Sequence, residues 1–101
     1  MPEKPPQNLR AWNASSTSLI VSWDVVPTGY VHGVLLGYRV FHKKKKESSF
    51  VSSVVNAKSL TVTLRGLKKF TFYTVKILAF TRIGDGASSG DVNVRTDQDG
   101  K

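Results

Sequence analysis

Short runs in which apolar and polar residues alternate recur along the chain, and turn-forming residues separate them. No segment keeps a helical period over several turns, and the gaps between runs are too short for helical crossovers. The strands must therefore pair antiparallel. The alternation predicts seven β-strands in 101 residues, which is typical of a two-sheet β-sandwich with Greek-key connections. The predicted strands are residues 8–13, 18–25, 35–42, 49–55, 59–64, 71–81 and 90–96.

Each predicted strand has one apolar face, and together these faces predict the core. In the second strand, Leu19 and Val21 share a face with Trp23. The same alternation selects residues from the later strands: Tyr38, Val40, Leu60, Val62, Leu64, Tyr73, Val75, Ile77, Ala79, Val92 and Val94.

Composition limits the chain to a small globular unit. Hydrophobic residues make up 40% of it, and the net charge of +8 raises the expectation of anionic partners. The lack of cysteine excludes disulfides and thiolate metal sites, and no apolar run is long enough to cross a membrane. Residues 5–96 are interpreted as one domain, and the polar segments 1–4 and 97–101 as linkers within a longer chain.

Several fragments appear in the order found in one known family. They are PPQNL (5–9), SSTSLIVSWD (15–24), HGVLLGYRV (32–40), LTVTLRGL (60–67), YTVKILAFT (73–81) and GDGASSGDVNVRT (84–96). The chain resembles a fibronectin type III domain, which implies a seven-stranded immunoglobulin-like sandwich. Leu67 and Tyr73 resemble the family's tyrosine corner, in which the phenol bonds to upstream backbone. The family usually has Pro-Asn or Pro-Gly between them, whereas Lys68, Lys69 and Phe70 stand here.

Catalysis is not expected. His32 and His42 have no sequence partner that would form a base and nucleophile pair, and phosphate-loop and metal-ligand spacings are absent. The sequence therefore predicts neither an enzyme nor a bound cofactor or metal.

Alternation also predicts which residues point outward. In the family the third and sixth strands are neighbours, so Phe41, Leu78 and Phe80 are predicted to form an exposed apolar patch edged by Arg39 and Lys76. Such a composition is typical of a protein-binding surface. Trp12 and Ile20 are predicted to be exposed on the opposite sheet. The alternative is that adjoining domains cover these side chains, or that they are ordinary scattered surface residues.

Residues 43–46 are four consecutive lysines. They are interpreted either as the solvated tip of a hairpin between the third and fourth strands, or as a cradle for a sulfated glycan such as heparan sulfate. In the second interpretation the candidate ligands of the glycan are Lys43, Lys44, Lys45 and Lys46. A nuclear-targeting role does not suit an exported module, and nucleic acid is not expected because no aromatic residue interrupts the run.

Two short motifs bear on location and binding. Asn13-Ala14-Ser15 is an N-glycosylation acceptor in the first predicted turn, which favours a secreted or cell-surface parent. The TRIGDGASSG turn contains Arg82, Gly84 and Asp85, but Ile83 breaks the Arg-Gly-Asp triplet that some family members carry, so integrin binding is not expected. Gly84 and Gly86 are predicted to supply positive φ there.

These observations together predict a non-catalytic, extracellular interaction and spacer module. The resemblance implies the ectodomain of a single-pass adhesion protein or receptor, with a protein ligand or adjacent domains as partners and a monomeric isolated domain. A glycosaminoglycan-binding module is the alternative, and an intracellular scaffold module is a third interpretation.

Overall fold

The computed structural model describes residues 4–26 and 34–96, which form eight β-strands. They are β1 (Gln7–Ser15), β2 (Ser18–Asp24), β3 (Leu35–Lys44), β4 (Val51–Asn56), β5 (Thr61–Leu64), β6 (Phe72–Thr81), β7 (Asp85–Ser88) and β8 (Val92–Arg95). The described residues do not include His32, which falls in the segment 27–33 before β3. They also leave out residues 1–3 of the predicted linker 1–4 and all of the predicted linker 97–101.

The strands form two antiparallel sheets. One has the order β1-β2-β5, and the other has the order β4-β3-β6, with both β7 and β8 paired to β6. The chain crosses between the sheets after β2, after β4 and after β5. The predicted all-β, two-sheet sandwich is therefore confirmed.

The count of seven strands is wrong by one because the last strand is interrupted. β7 pairs with β6 near Leu78, and β8 pairs with β6 from Phe72 to Val75. Between them, the Ser89 N–H donates to the Ile77 carbonyl (2.7 Å), and the Ile77 N–H donates to Ser89 Oγ (3.0 Å). A side-chain oxygen thus replaces a backbone carbonyl where the strand kinks. Gly84 has a positive φ of 155°, whereas Gly86 lies within β7, so its predicted loop role is wrong.

The core lies between the sheets and contains the side chains that the alternation selected. Trp23 and Tyr38 are its largest members, with ring centroids 5.3 Å apart, and around them pack Leu19, Val21, Val40, Leu64, Leu67, Tyr73, Val75, Ile77 and Ala79. Val62 and Val94 are partly buried and pack against this core. Two predicted core residues are exceptions: Leu60 precedes β5 and is 38% exposed, and Val92 is half-buried and lies outside the core cluster.

The tyrosine corner is confirmed. Tyr73 is buried, and its phenol oxygen accepts a hydrogen bond from the Lys68 N–H at 2.8 Å. The unusual turn between Leu67 and Tyr73 requires a left-handed backbone, with φ of 49° at Phe70. Bulky residues rarely adopt this conformation. Phe70 lies at the end of the sheet where β3 stops and β6 begins.

Candidate protein-interaction face

The outer face of the β4-β3-β6 sheet is built mainly by β3 and β6. Because Tyr38 and Tyr73 point into the core, the alternate residues of both strands point outward. Their antiparallel register sets Arg39 beside Leu78, Phe41 beside Lys76 and Lys43 beside Thr74. Residues from the two halves of the sequence are thereby brought into one surface.

All five phenylalanines of the chain belong to this surface, and none belongs to the core. Each ring has a lysine amine or arginine guanidinium 4.3–5.5 Å from its centroid. We call this surface the aromatic-cationic face. It consists of Phe41, Phe50, Phe70, Phe72 and Phe80 with Arg39, Lys43, Lys45, Lys76 and Arg95. Attraction between a cation and a ring contributes about 0.5–1 kcal/mol at an exposed site.

The centre of the face is a cluster around two rings. Phe41 and Phe50 meet edge to face with centroids 6.2 Å apart. The Lys76 amine lies 4.6 Å from the Phe50 centroid and 5.4 Å from that of Phe41, and the Lys43 amine lies 5.4 Å from Phe50. Phe50 falls within the predicted strand 49–55, but it precedes β4 and packs on the outer face.

The end of the face nearest the start of β3 carries a neutralised cation. The Arg39 Nε donates to Asp85 Oδ1 at 3.0 Å, and its guanidinium lies 4.5 Å from the Phe80 centroid. Gly37 allows this packing, since a Cβ there would meet the Val55 carbonyl oxygen at 2.4 Å and the Phe80 ring at 3.2 Å. Arg39 therefore offers less charge to a ligand than the other cations do.

The expectation that Leu78 is an exposed part of the patch is wrong. Its side chain points to the outer face but is only 8% exposed. β3 lies on one side of it and β7 on the other, through its pairings with Arg39 and Ser88. The sequence prediction missed β7, which is the strand that covers Leu78.

The lysine run is only partly a hairpin tip. Lys43 and Lys44 belong to β3, and Lys45 and Lys46 form the turn. The Lys43 amine donates to the backbone oxygens of Lys45 (3.4 Å) and Glu47 (2.7 Å). The Lys44 N–H donates to Glu47 Oε1 at 3.0 Å. Glu47 and the turn backbone thus fix the shape of the run.

His42 faces inward beside this turn, with its ring 6.4 Å from that of Tyr73. Burial lowers the pKa of His42 below its usual 6.5, and the nearby Glu47 carboxylate opposes this effect. Because the folded state favours the neutral ring, its contribution to stability is present above pH 6.5 and is lost as the pH falls through the lowered pKa.

At the end of the sheet where β3 stops and β6 begins lies an open groove of about 320 Å³. Lys44, Lys45, Lys46, Phe70, Thr71 and Phe72 line it, and we call it the Phe70–Phe72 groove. Arg95 lies at the same end, with its guanidinium 4.3 Å from the Phe70 centroid and 5.5 Å from that of Phe72. The Lys45 amine lies 5.6 Å from the Phe72 centroid.

Phe70, Phe72 and Arg95 were missed as candidate site residues. The alternation along β6 that points Lys76 outward also points Phe72 outward. Phe72 could therefore have been predicted from the sequence. No aromatic residue interrupts the lysine run in sequence, but Phe50 and Phe72 lie beside its lysines in space.

The other candidates lie away from this face. Asn13 is exposed and pairs with Leu19, but β1 continues to Ser15, so the acceptor triplet lies in a strand and its predicted place in the turn is wrong. Trp12, on the same sheet, is 45% exposed and pairs with Ile20, which is half-buried. Within residues 4–26 and 34–96, no group of acidic residues, histidines or cysteines is arranged to hold a metal ion. The described part of the chain also contains no helix long and apolar enough to span a bilayer.

Comparison with known families gives one match over nearly the whole chain. The model of the fibronectin type III domain matches residues 4–95. Chicken sidekick-1 is 38% identical over 94 residues, which cover 91% of this chain and 4% of that protein. The rat netrin receptor DCC is 39% identical over 92 residues, or 91% of this chain and 6% of the receptor. The chain thus spans a small fraction of the length of these relatives.

Solved structures agree with this match. The third fibronectin III domain of human KIAA0343 protein superposes with a TM-score of 0.90 at 27% identity, covering 100% of this chain and 87% of that chain. The FN5 domain of Drosophila Lar gives a TM-score of 0.77 at 27% identity, covering 96% of this chain and 98% of that one.

Proposed function

Since the chain belongs to the fibronectin type III domain family, we propose that it acts as a non-catalytic interaction and spacer module in the extracellular part of a cell-surface adhesion protein or receptor. Its relatives include sidekick-1 and the netrin receptor DCC. A module of this kind needs a rigid core and a surface able to hold a partner. The proposal extends to a single-pass membrane parent and to a monomeric isolated domain.

The observation that carries the proposal is the placement of every phenylalanine on one outer face. Burying aromatic rings yields about 25 cal/mol per Å² of apolar surface, so a chain normally places rings in its core. Here the core uses Trp23, Tyr38, Tyr73 and aliphatic residues, while Phe41 and Phe80 remain half-exposed beside cations. Aromatic and arginine side chains are enriched at the energetic centres of protein interfaces. We therefore assign partner binding to the aromatic-cationic face.

The test is a binding assay on beads coated with the domain, probed with purified ectodomains of adhesion proteins and with the domain itself. Phe41→Ser is expected to weaken a detected interaction at least about tenfold, as removal of a central interface aromatic does. Trp12→Ser, which removes an exposed ring from the opposite sheet, is the matched control and is expected to retain affinity. Loss of binding in Trp12→Ser but not in Phe41→Ser would place the interface on the β1-β2-β5 sheet and contradict the proposal.

A glycosaminoglycan-binding function through Lys43, Lys44, Lys45 and Lys46 is a second candidate. It is supported by Lys45 and Lys46, which are exposed and have no carboxylate partner within the described residues. Exposed, uncompensated cations attract sulfate groups, and salt screens that attraction. Lys43 is less suited to this role because backbone oxygens already bind its amine.

Heparin chromatography tests this second function. The domain is expected to elute above physiological salt, and Lys45→Ser/Lys46→Ser to elute well below it. Lys58→Ser/Arg82→Ser removes the same charge from the opposite end of β3, where Asn56 and Thr81 pair with its first residues. Equal shifts for both double variants would show that heparin responds to net charge and not to the lysine run.

A further inference from the structure

We propose that the Phe70–Phe72 groove is a binding site for an acidic peptide segment that carries an aromatic side chain. The proposal rests on the protein-binding function above and gives it a location and a ligand chemistry. It places the ligand at one end of the aromatic-cationic face, next to Lys45, Lys46 and Arg95.

Charge at the groove is uncompensated, whereas two arginines that form ion pairs lie elsewhere on the molecule. Arg39 is paired with Asp85 and Arg10 with Asp24. By contrast, Lys45, Lys46 and Arg95 have no carboxylate within ion-pair distance in the part of the chain that the structure describes. Three such cations therefore meet beside the two exposed rings of one groove, where they can attract a carboxylate together.

Arg95 is held in an orientation that suits a carboxylate. Its guanidinium packs over two rings, Phe70 and Phe72, and it lies directly across from Phe72 in the strand register. Packing over rings holds the planar group by its face and leaves the N–H edge for a bidentate carboxylate. A lysine-only site would lack this geometry.

The rings provide an apolar surface that a purely ionic ligand would leave uncovered. Phe70 is 50% exposed and Phe72 is 48% exposed. A groove of about 320 Å³ is near the lower limit for ligand pockets, and it has room for one aromatic side chain with acidic neighbours. A sulfated glycan would engage the cations but would gain little from the rings, and this difference favours a peptide.

The groove is also preorganised, and a strained residue forms part of it. The left-handed φ of 49° at Phe70 is maintained by a network around the turn. The buried Thr96 hydroxyl donates to the Lys68 carbonyl (2.7 Å) and accepts from the Thr71 N–H (2.9 Å), and the Lys68 N–H donates to Tyr73. Strained backbone persists where its surroundings enforce it, and such positions cluster at binding sites. A rigid site also loses less entropy on binding.

Fluorescence anisotropy with a labelled peptide tests the site. The probe is a short peptide in which glutamates surround one phenylalanine, and its partner has alanine in place of that phenylalanine. The first is expected to bind with micromolar to submillimolar affinity, and the second about tenfold more weakly. Binding should weaken with added salt.

Variants of the domain separate the two contributions. Phe72→Thr, and Phe70→Asn as a second variant whose backbone suits the turn, are expected to reduce the affinity of the phenylalanine peptide to that of the alanine peptide. Lys45→Gln or Arg95→Gln should weaken both peptides. Val51→Ser and Lys58→Gln remove an exposed apolar group and a charge at other places, and should change neither affinity.

Three results would overturn the proposal. One is equal affinity for the two peptides, another is no effect of Phe72→Thr and Phe70→Asn, and the third is tight binding of heparin or single-stranded oligonucleotide that the peptide cannot displace. The bead assay distinguishes this failure from failure of the proposed function. An ectodomain interaction that is lost in Phe41→Ser but kept in Phe72→Thr and Lys45→Gln would preserve the function and remove this site.

Discussion

Phe70 places an exposed ring on the aromatic-cationic face while its backbone adopts a strained, left-handed conformation. Glycine or asparagine suits a φ of 49°, whereas a bulky residue there costs about 1–2 kcal/mol. What the phenylalanine provides in return is a ring 4.3 Å from the Arg95 guanidinium, a contact that contributes about 0.5–1 kcal/mol when exposed. The strained backbone costs more free energy than the ring contact returns, so Phe70 does not favour folding. Its presence is consistent with a role in binding.

Phe70→Asn is therefore expected to raise the free energy of unfolding by about 0.5–1 kcal/mol, since relief of backbone strain exceeds the lost ring contact. Urea denaturation provides the measurement. Phe70→Ala is the matched control, because it removes the same ring but retains the poor backbone preference, and it should be less stable than the wild type. If the two variants were equally stable, the backbone at this position would not be strained.

At the scale of the elements, alternation determines most of the sandwich but not its edges. Leu19, Val40 and Ile77 are completely buried, as expected for central strands with one face on the core. The misplacement of Leu78 has a different cause, because its burial depends on β7, a short strand with no apolar alternation of its own. A short strand that forms only by pairing with a neighbouring strand, such as β7, has no apolar alternation from which it could be predicted.

The candidate site was predictable to a similar extent. Parity placed Phe41, Phe80, Arg39 and Lys76 on one face, and the structure brings Phe41 and Lys76 together there. The Phe70–Phe72 groove was not predictable, because it requires the turn before β6, the end of β3 and the last residue of β8 to meet. Contacts between segments so distant in sequence depend on sheet register.

The pairing of β3 with β4 depends on the absence of a side chain at Gly37. A Cβ there would lie 2.4 Å from the Val55 carbonyl oxygen, so Gly37→Ala forces β4 away from β3. We expect a loss of about 1–3 kcal/mol in unfolding free energy, as for overpacking, and faster amide exchange in β4. Gly90→Ala is the control, since nothing lies within 4 Å of a Cβ at that position. Similar stability of the two variants would contradict this account.

On the scale of the whole molecule, the two sheets expose different chemistry. One carries all five phenylalanines with uncompensated lysines, and the other carries Trp12 and the acceptor Asn13 in β1. An oligosaccharide on Asn13 would project from the sheet that does not bear the aromatic-cationic face. The proposed glycan and the proposed partner site would therefore lie on different sheets.

The exclusion of phenylalanine from the core has a spectroscopic consequence. Trp23 is 1% exposed, so tryptophan emission reports folding, while Trp12 lies on the opposite sheet from the phenylalanines. Neither indole is placed to sense a ligand at the face. Biosynthetic incorporation of fluorinated phenylalanine would instead label the aromatic-cationic face alone, with one ¹⁹F resonance for each ring. The five signals would show which part of the surface a partner covers, without any substitution in the chain.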